Sequence, residues 1–481
     1  MNIPIAPGVF DILPNDPKEA WKNSHLWSYV ESTARRTAEQ YGFQEIRTPI
    51  FERTELFKRG VGETSDIVSK EMYTFEDKGG RSMSLRPEGT APAMRAFVEH
   101  QMQLAAPFHK LYYIGPMFRY ERSQAGRYRQ HQQFGAEAIG IAAPEQDVEM
   151  IDMVYTLYNR LGIQNLQVNL NSIGGTSTRI AFKEALKAYL AKYLDELSDD
   201  SKNRFETNPL RILDSKDPTD KEITKNAPSI LDFLDGECRD HFETVQKLLI
   251  KLRIPFKINP LLVRGLDYYN KTVFEIVAGE LGAQNSIVGG GRYDGLLKTL
   301  GGPDLPATGF ATGLERVIQT MLKQNVPVPN AYRPTIFLIP MGDAAKEAAF
   351  PILHNLRENG IAAEMDFSGK KINKVMQYAN QIQAEYVVVI GDKEIESGQV
   401  ELKEMATGTT KSIPMQHLAR IFQVEKQWEE YIKLLEKMQQ PFDKSEEVDF
   451  FVTDIRKTIA QTEKVSTNLQ AVLKKMQQML T

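Results

Sequence analysis

Four arginines, Arg119, Arg122, Arg127 and Arg129, crowd the short stretch from Phe118 to Glu137. A guanidinium stays charged at any physiological pH and offers its N–H donors as a fixed fork that fits phosphate oxygens. Set around Ser123-Gln-Ala-Gly126 between two strand-like runs, the cluster suits a polyphosphate; judged alone it is equally a solvated basic hairpin. Arg119, at a strand end, is placed to hold an α-phosphate and to offset the charge that grows there under attack by an oxygen nucleophile. Further blocks lie elsewhere in the chain. Leu85-Arg-Pro-Glu-Gly-Thr90 presents Glu88 and Thr90 either to an ammonium group or as the capped start of a helix over Ala91–Val98. Arg264-Gly-Leu-Asp-Tyr-Tyr269 sets an arginine, an aspartate and two tyrosines between apolar runs, where polar groups need partners. Gly289-Gly-Gly291, followed by Arg292-Tyr293-Asp294, lets backbone approach a ligand closely. It is not a GxGxxG turn opening a helix, which argues against a dinucleotide fold. Finally, Gly309–Arg316 runs from a glycine-rich strand into a helix and offers Arg316 to a terminal phosphate near the helix N-terminus.

The elements that must position these groups follow from periodicity. Asp16-Pro-Lys-Glu19 reads as a helix start, with Trp27, Val30, Ala34 and Ala38 at helical spacing and Gly42 as the stop. Thr48-Pro49 suits an edge or interface strand. Strands are predicted at 111–118 and 133–141, a helix from Pro144 to Gly162, and a strand at 166–173. Lysine-rich helical segments over 176–258 read as an insertion, after which strand signals resume in Leu262–Asn270 and Thr272–Val277. Runs of strands with few helices between them predict an α+β domain with a mainly antiparallel sheet over 1–325. A proline-rich linker covers 325–334. Beyond it the pattern alternates: strand 335–339, helix 343–359, strand 361–367, helix 371–382, and the buried run Tyr386-Val-Val-Val-Ile390 of a parallel strand. The tail over 421–481 is predicted helical, with a break near Pro441.

The 481 residues allow two or three domains, and 42% hydrophobic with 25% charged residues is an ordinary soluble profile. A net charge of −4 means that any nucleic acid must be held by local patches. The single cysteine, Cys238, excludes an internal disulfide and fits a reducing compartment. The seven histidines lack zinc-ligand spacing, and no protein-held metal is expected. No apolar run has the length of a membrane span and the start lacks a signal pattern, so a cytoplasmic enzyme is expected.

With these blocks in this order, the chain resembles the class II aminoacyl-tRNA synthetases, and among them the histidyl-tRNA synthetase family, from residue 6 to about 420. Phe118–Glu137 resembles motif 2 of the class and Gly309–Arg316 motif 3; the helix and strand ending at Pro49 resemble the weaker motif 1, which builds the family's dimer interface. Leu262–Tyr269 and Gly289–Gly295 resemble two signatures peculiar to the histidine branch.

The resemblance implies an ATP-dependent ligase of protein biosynthesis that makes histidyl-adenylate and transfers histidine to its tRNA. On that footing Arg119, Arg264 and Arg316 are the catalytic arginines. Arg119 would hold the ATP α-phosphate, Arg127 would face the phosphates and Arg316 would take the far end of the triphosphate. Arg264 would contact the substrate carboxylate and α-phosphate, in a place where other class II enzymes rely on a metal. Glu88, Thr90 and Gln133 would hold the α-amino group, Glu137 and Tyr269 the imidazole nitrogens, with Tyr268 and Tyr293 lining the pocket. Arg122 and Gln124 would meet the tRNA acceptor end, and 334–420 would bind the anticodon, with Lys370 and Lys371 helping to hold it. Magnesium is expected with ATP rather than in a protein cage, and a homodimer is carried over from the family. His131-Gln132 stands where the family has Phe-His, Thr312 is a small variation, and the tail has no family counterpart. The rival reading is a non-catalytic paralogue that binds histidine or tRNA as a regulatory subunit; the full arginine set and a second domain argue against it.

Overall fold

The computed structural model of the chain describes residues 3–62, 65–121, 128–266, 268–279, 286–329 and 332–422. Arg122, Gln124, Arg127 and the predicted tail beyond Phe422 therefore lie outside the described residues. The chain divides into two compact units, Met1–Ala331 and Tyr332–Thr481.

In the first unit, α1 (Ser24–Gln40) buries Leu26, Trp27, Val30, Ala34 and Ala38 along one stripe. It starts later than the sequence pattern predicts. Asp16 Oδ1 accepts the N–H groups of Lys18 and Glu19, each at 2.8 Å, and so closes only a turn. Asn23, the residue before the helix, ties that turn back by accepting the Asp16 N–H at 2.6 Å. After α1 come β1 (Gln44–Glu45), β2 (Phe51–Arg53), α2 (Thr54–Val61), β3 (Thr74–Glu76), β4 (Ser82–Leu85), α3 (Thr90–Glu99), β5 (His109–Phe118) and β6 (Gln130–Ile139). The chain continues through α4 (Pro144–Arg160), β7 (Leu166–Ser172), α5 (Thr176–Leu190), α6 (Asp199–Thr207), α7 (Pro218–Thr224) and α8 (Gly236–Lys251). It closes with β8 (Phe256–Ile258), β9 (Asn270–Ala278), β10 (Ser286–Arg292), α9 (Leu296–Thr299), β11 (Ala307–Gly313) and α10 (Leu314–Lys323).

Eight strands form one sheet in the order β1-β5-β6-β11-β10-β9-β7-β8. Only β1 with β5 and β7 with β8 pair in parallel, so the sheet is mainly antiparallel. Residues 262–266 and 268–269 are not in a strand and precede the start of β9. A three-stranded sheet, β2-β4-β3, is formed separately. Arg86, buried, ties the segment before β2 to β5 by donating to the carbonyls of Thr48 and Pro116, both at 2.9 Å.

Strand alternation gives the large sheet two different faces. One face packs Phe134, Ala136, Ala138, Phe274, Ile276 and Phe310 against α1, α4, α8 and α10. The other carries Leu111, Ile139, Tyr269, Val273 and Tyr293 and is covered by α3, α9 and helical residues such as Phe182, Leu186 and Ile212. The segment 176–258 is not uniform. Cys238, Phe242, Val245 and Leu249 of α8 share the first core with α4, while the buried residues of α5 belong to the second.

The second unit comprises β12 (Ile336–Pro340), α11 (Asp343–Glu358), β13 (Ala363–Met365), α12 (Ile372–Gln381), β14 (Tyr386–Ile390), α13 (Asp392–Ser397), β15 (Gln399–Glu404) and β16 (Thr410–Pro414). Its sheet runs β13-β12-β14-β15-β16, parallel through the first three and antiparallel thereafter. The antiparallel pair went unread in the sequence because β15 and β16 bury few side chains and carry lysines and glutamates between them.

The first core depends on an aromatic column in which Phe134 stands 6.3 Å from Tyr112 and 5.6 Å from Phe310, ring to ring. Phe134→Ala is expected to destabilise the protein by about 3–5 kcal/mol, read as a lowered urea midpoint at unchanged slope.

Candidate active site

The register of the sheet brings the separated sequence blocks onto one surface. Along one row Leu111 stands opposite Glu137, Glu137 opposite Gly309, Gly309 opposite Gly291, and Gly291 opposite Val273. The neighbouring row reads Tyr113, Gly135, Ala311, Gly289 and Glu275. The middle of this face is therefore made of small residues, and the floor is low where the rim is high.

Glu137 is fully buried on that floor. Its Oε1 accepts the Thr90 hydroxyl at 2.8 Å and the Tyr113 hydroxyl at 3.1 Å, and its Oε2 accepts the Tyr293 hydroxyl. Gly309 is required beneath it, since an added Cβ would collide with Glu137 Oε2 and the Tyr293 hydroxyl. Burial pushes the Glu137 carboxyl up to about 8, against the pull of its hydroxyl donors; the nearby Glu88 charge adds to the rise. The Tyr113, Tyr268 and Tyr293 phenols are driven well above their ordinary range by the same burial, so they act as donors. Tyr268, Tyr269 and Tyr293 form a cluster with ring centroids 4.7, 5.3 and 6.0 Å apart.

Glu88 sits at the start of α3 and accepts the N–H groups of Thr90 and Ala91 at 2.8 and 2.9 Å. The helix-start meaning of the Leu85–Thr90 block holds: Glu88 caps the helix, and the cap fixes Thr90 against Glu137. Burial raises the Glu88 carboxyl, which the Arg119 charge partly offsets. Gln133, two rows along on the same face as Glu137, is buried with its side-chain oxygen unpaired. An unpaired buried amide oxygen is costly and calls for a donor.

Two of the three predicted catalytic arginines, Arg119 and Arg316, bear on a common residue. Arg119 follows β5, anchors its Nε on the Pro87 carbonyl at 2.9 Å, and pairs its backbone N–H with the Arg129 carbonyl. Arg316 lies in the first turn of α10 and donates to the Ser286 carbonyl at 2.9 Å. Both guanidinium groups bear on His131, whose imidazole is held down to about 3 by burial first and then by these two charges. Arg264 is ion-paired with Glu275 and lies over the floor at Gly289, where any Cβ would strike its guanidinium. It also stands 5.8 Å from the Tyr269 ring centroid. Arg119 and Gly265, next to Arg264, line one cavity of about 760 Å³. The same cavity is lined by Arg204 and Arg211, which meet Asp66 at 3.1 and 3.4 Å. The glycine-rich strand was expected to admit a ligand's approach; what approaches Gly289 and Gly309 in the structure is the chain's own Arg264, Glu137 and Tyr293.

Three residues escaped the sequence reading. Tyr113 sits in an aromatic run whose facing is set by register alone, and Glu275 lies in an apolar strand. Glu315 accepts the Gln132 N–H at 2.7 Å, joining α10 to β6, and burial raises it to about 8. In the second unit, Lys370 lines a cavity of about 1060 Å³ with Tyr332, Phe367, Lys374 and Tyr378, and Lys371 takes the N-cap position of α12.

A family model described as Histidyl-tRNA synthetase matches residues 8–317, and one described as Anticodon binding domain matches residues 335–425. The histidine–tRNA ligase of Protochlamydia amoebophila is 65% identical over 419 residues, covering 87% of this chain and 99% of that protein. That of Syntrophotalea carbinolica is 47% identical over 416 residues, covering 86% and 97%. Among solved structures, apo histidyl-tRNA synthetase of S. aureus is similar with a TM-score of 0.74 at 38% identity, covering 88% of this chain and all of that one.

A carboxyl whose folded pKa lies above its ordinary 4.5 binds more protons folded than unfolded. The stability it lends is complete at low pH and is lost as pH rises toward about 8. Ligand-free Glu137→Gln is therefore expected to gain thermal stability relative to the parent as pH climbs from about 5 to about 8, with little difference at the acid end. Parallel melting-temperature profiles for the two proteins would contradict this.

Proposed function

The chain belongs to the histidyl-tRNA synthetase family and is an ATP-dependent histidine–tRNA ligase, and from that premise we propose which of its residues do the work. The observation that carries the assignment is the buried Glu137 carboxyl group on a low glycine floor, ringed by hydroxyls. Histidine lies on that floor with its imidazole N–H donating to Glu137, Tyr268, Tyr269 and Tyr293 closing the pocket, and its ammonium group taken by Glu88, Thr90 and the open oxygen of Gln133. A wrong side chain leaves Glu137 without its ligand donor, which rejects competitors by roughly 10⁴-fold.

In the first step a carboxylate oxygen of histidine forms a bond to the α-phosphorus of ATP while the bond from that phosphorus to the pyrophosphate oxygen breaks. Arg119 and Arg264 offset the charge growing on the α-phosphoryl oxygens; Arg127 and Arg316 steady the departing phosphates. In the second step the terminal hydroxyl of the tRNA attacks the histidyl carbonyl and AMP leaves. Neither step needs a protein nucleophile, and a guanidinium cannot act as base at neutral pH, so these arginines position and stabilise. Magnesium enters with ATP as part of the nucleotide substrate, bridging phosphate oxygens.

Within this reading, residues 1–325 are the catalytic domain with a helical insertion in 176–258, residues 334–420 the anticodon-binding domain, and 421–481 an added extension. Arg122 and Gln124 meet the acceptor end of the tRNA. The cavity beside Lys370, with its exposed Phe367 and Tyr378, offers aromatic faces and positive charge to unpaired bases. A homodimer is supported by the exposed Ile50, Phe51 and Phe75, the last two rings 6.3 Å apart on the three-stranded sheet. The cytoplasm, where ATP and tRNA meet, is the compartment this reading assigns. A non-catalytic subunit is the weaker alternative: the solved ATP phosphoribosyltransferase regulatory subunit/histidyl-tRNA synthetase of Bacillus halodurans is 21% identical and shares the fold alone.

The decisive measurement is ATP–pyrophosphate exchange run across all twenty amino acids, which should respond to histidine alone; tight histidine binding without exchange would sink the enzymatic roles. Arg264→Ala is expected to lower the exchange rate by about 10²–10³-fold with a much smaller change in histidine affinity. Equal losses in both would reduce Arg264 to a ground-state binder. In the second unit, a Lys370→Ala/Lys371→Ala variant should bind histidine tRNA more weakly and with a salt slope lower by about 2. An unchanged slope would remove both lysines from the tRNA surface.

A further inference from the structure

The end of β10 carries two large buried side chains that point apart. Arg292 is fully buried and meets Asp147 of α4, with Nη2 2.7 Å from Oδ1 and Nε 3.3 Å from Oδ2. It also donates to the Ile141 and Ala143 carbonyls at 3.0 and 3.2 Å and to Asp294 Oδ1 at 3.1 Å. Asp147 is closed from the other side by His241 of α8, Nε2 to Oδ2 2.7 Å. Three elements, α4, α8 and the end of β10, thus meet on one carboxylate with no exposed surface. The next residue, Tyr293, packs in the core of the opposite face and gives its hydroxyl to Glu137. Just before this pair the ladder shifts register between Gly291 and Arg292, with Gly291 at φ +151°. A register shift of this kind re-aims the side chains that follow it.

Such a network is a poor device for stability. Desolvating the charges offsets most of their attraction, and apolar residues of the same size would hold α4 to the sheet about as well. What it adds is direction. A guanidinium pinned at four acceptors admits one orientation of the strand end that carries it, and an apolar contact would not. Asp294 extends the constraint by also accepting the Ala307 N–H at 3.2 Å, which ties the same strand end to β11 two residues before Gly309.

We propose that Asp147, held by His241, is a positioning residue for histidine selection: through Arg292 it fixes the shifted end of β10 so that the Tyr293 hydroxyl reaches Glu137. The proposal rests on the reading that Glu137 and Tyr293 bound the histidine pocket. Asp147 touches no substrate; it acts from the far face of the sheet.

A double-mutant cycle in the exchange assay tests it, using Asp147→Asn, Tyr293→Phe and the pair together, with His241→Phe as a milder variant that leaves the Asp147–Arg292 contact in place. Each of the first two is expected to raise KM for histidine about tenfold while kcat and KM for ATP stay within about twofold, and the pair should be no worse than Tyr293→Phe alone. His241→Phe should raise KM for histidine about threefold in the parent and not at all in the Tyr293→Phe background, so the test survives if Asp147→Asn does not fold. Multiplying effects in either pair, or equal losses for ATP and histidine, would overturn the proposal in favour of a general structural role. An unchanged KM in Tyr293→Phe would overturn the pocket assignment itself, and the proposal with it.

Discussion

A carboxylate buried in the middle of a sheet must find donors within reach, and the requirements of Glu137 shape the first unit around it. Its ordinary neighbours on a pleated surface would be side chains of normal bulk. Here they are Gly309 on one strand and, beyond it, Gly291 on the next. The space so opened admits hydroxyls from three distant elements: Thr90 from α3, Tyr113 from β5 and Tyr293 from the end of β10. Hydroxyls satisfy a carboxylate without neutralising it, so burial still wins and the group stays above its ordinary range. The pocket thus holds a buried carboxyl group that a further donor would satisfy.

The arginines obey a complementary logic. Each is held from behind by a group that cannot follow it into the cleft: Arg119 by the Pro87 carbonyl, Arg316 by the Ser286 carbonyl, Arg264 by the Glu275 carboxylate. A guanidinium fixed in this way needs little reorganisation when charge develops beside it. Positioned charge, not a nucleophile, is what the chemistry asks of the chain.

The same economy separates the two faces of the sheet. Phe134, Phe274 and Phe310 fill one side with aromatic bulk, while their strand neighbours on the other side are Gly135, Glu275 and Gly309. Rigid packing behind and small residues in front make a stiff plate on which a ligand can be laid. The Arg292–Asp147–His241 contact crosses from the packed side to the end of the strand that serves the open side.

Much of this was legible in the chain itself. The arginine block after Phe118, the paired tyrosines at 268 and 269, the triple glycine and the strand-to-helix passage into Arg316 named the chemistry, because residue types with fixed charge or no side chain keep their meaning in any fold. Alternation and helical spacing also fixed β5, β6, α4 and the Tyr386–Ile390 strand to within a few residues. Other features could not be read there. Asp16 looked like a helix cap and closes only a turn, because Asn23 competes for its backbone. The tyrosine-rich segment before β9 looked extended and is irregular. Tyr113, Glu275 and Asp147 carry no local signal at all: their partners lie 24, 11 and 145 residues away. Which side of a strand faces a cleft, and which charges meet there, depends on register between strands far apart in sequence. That register is settled only when both faces of the sheet are buried together.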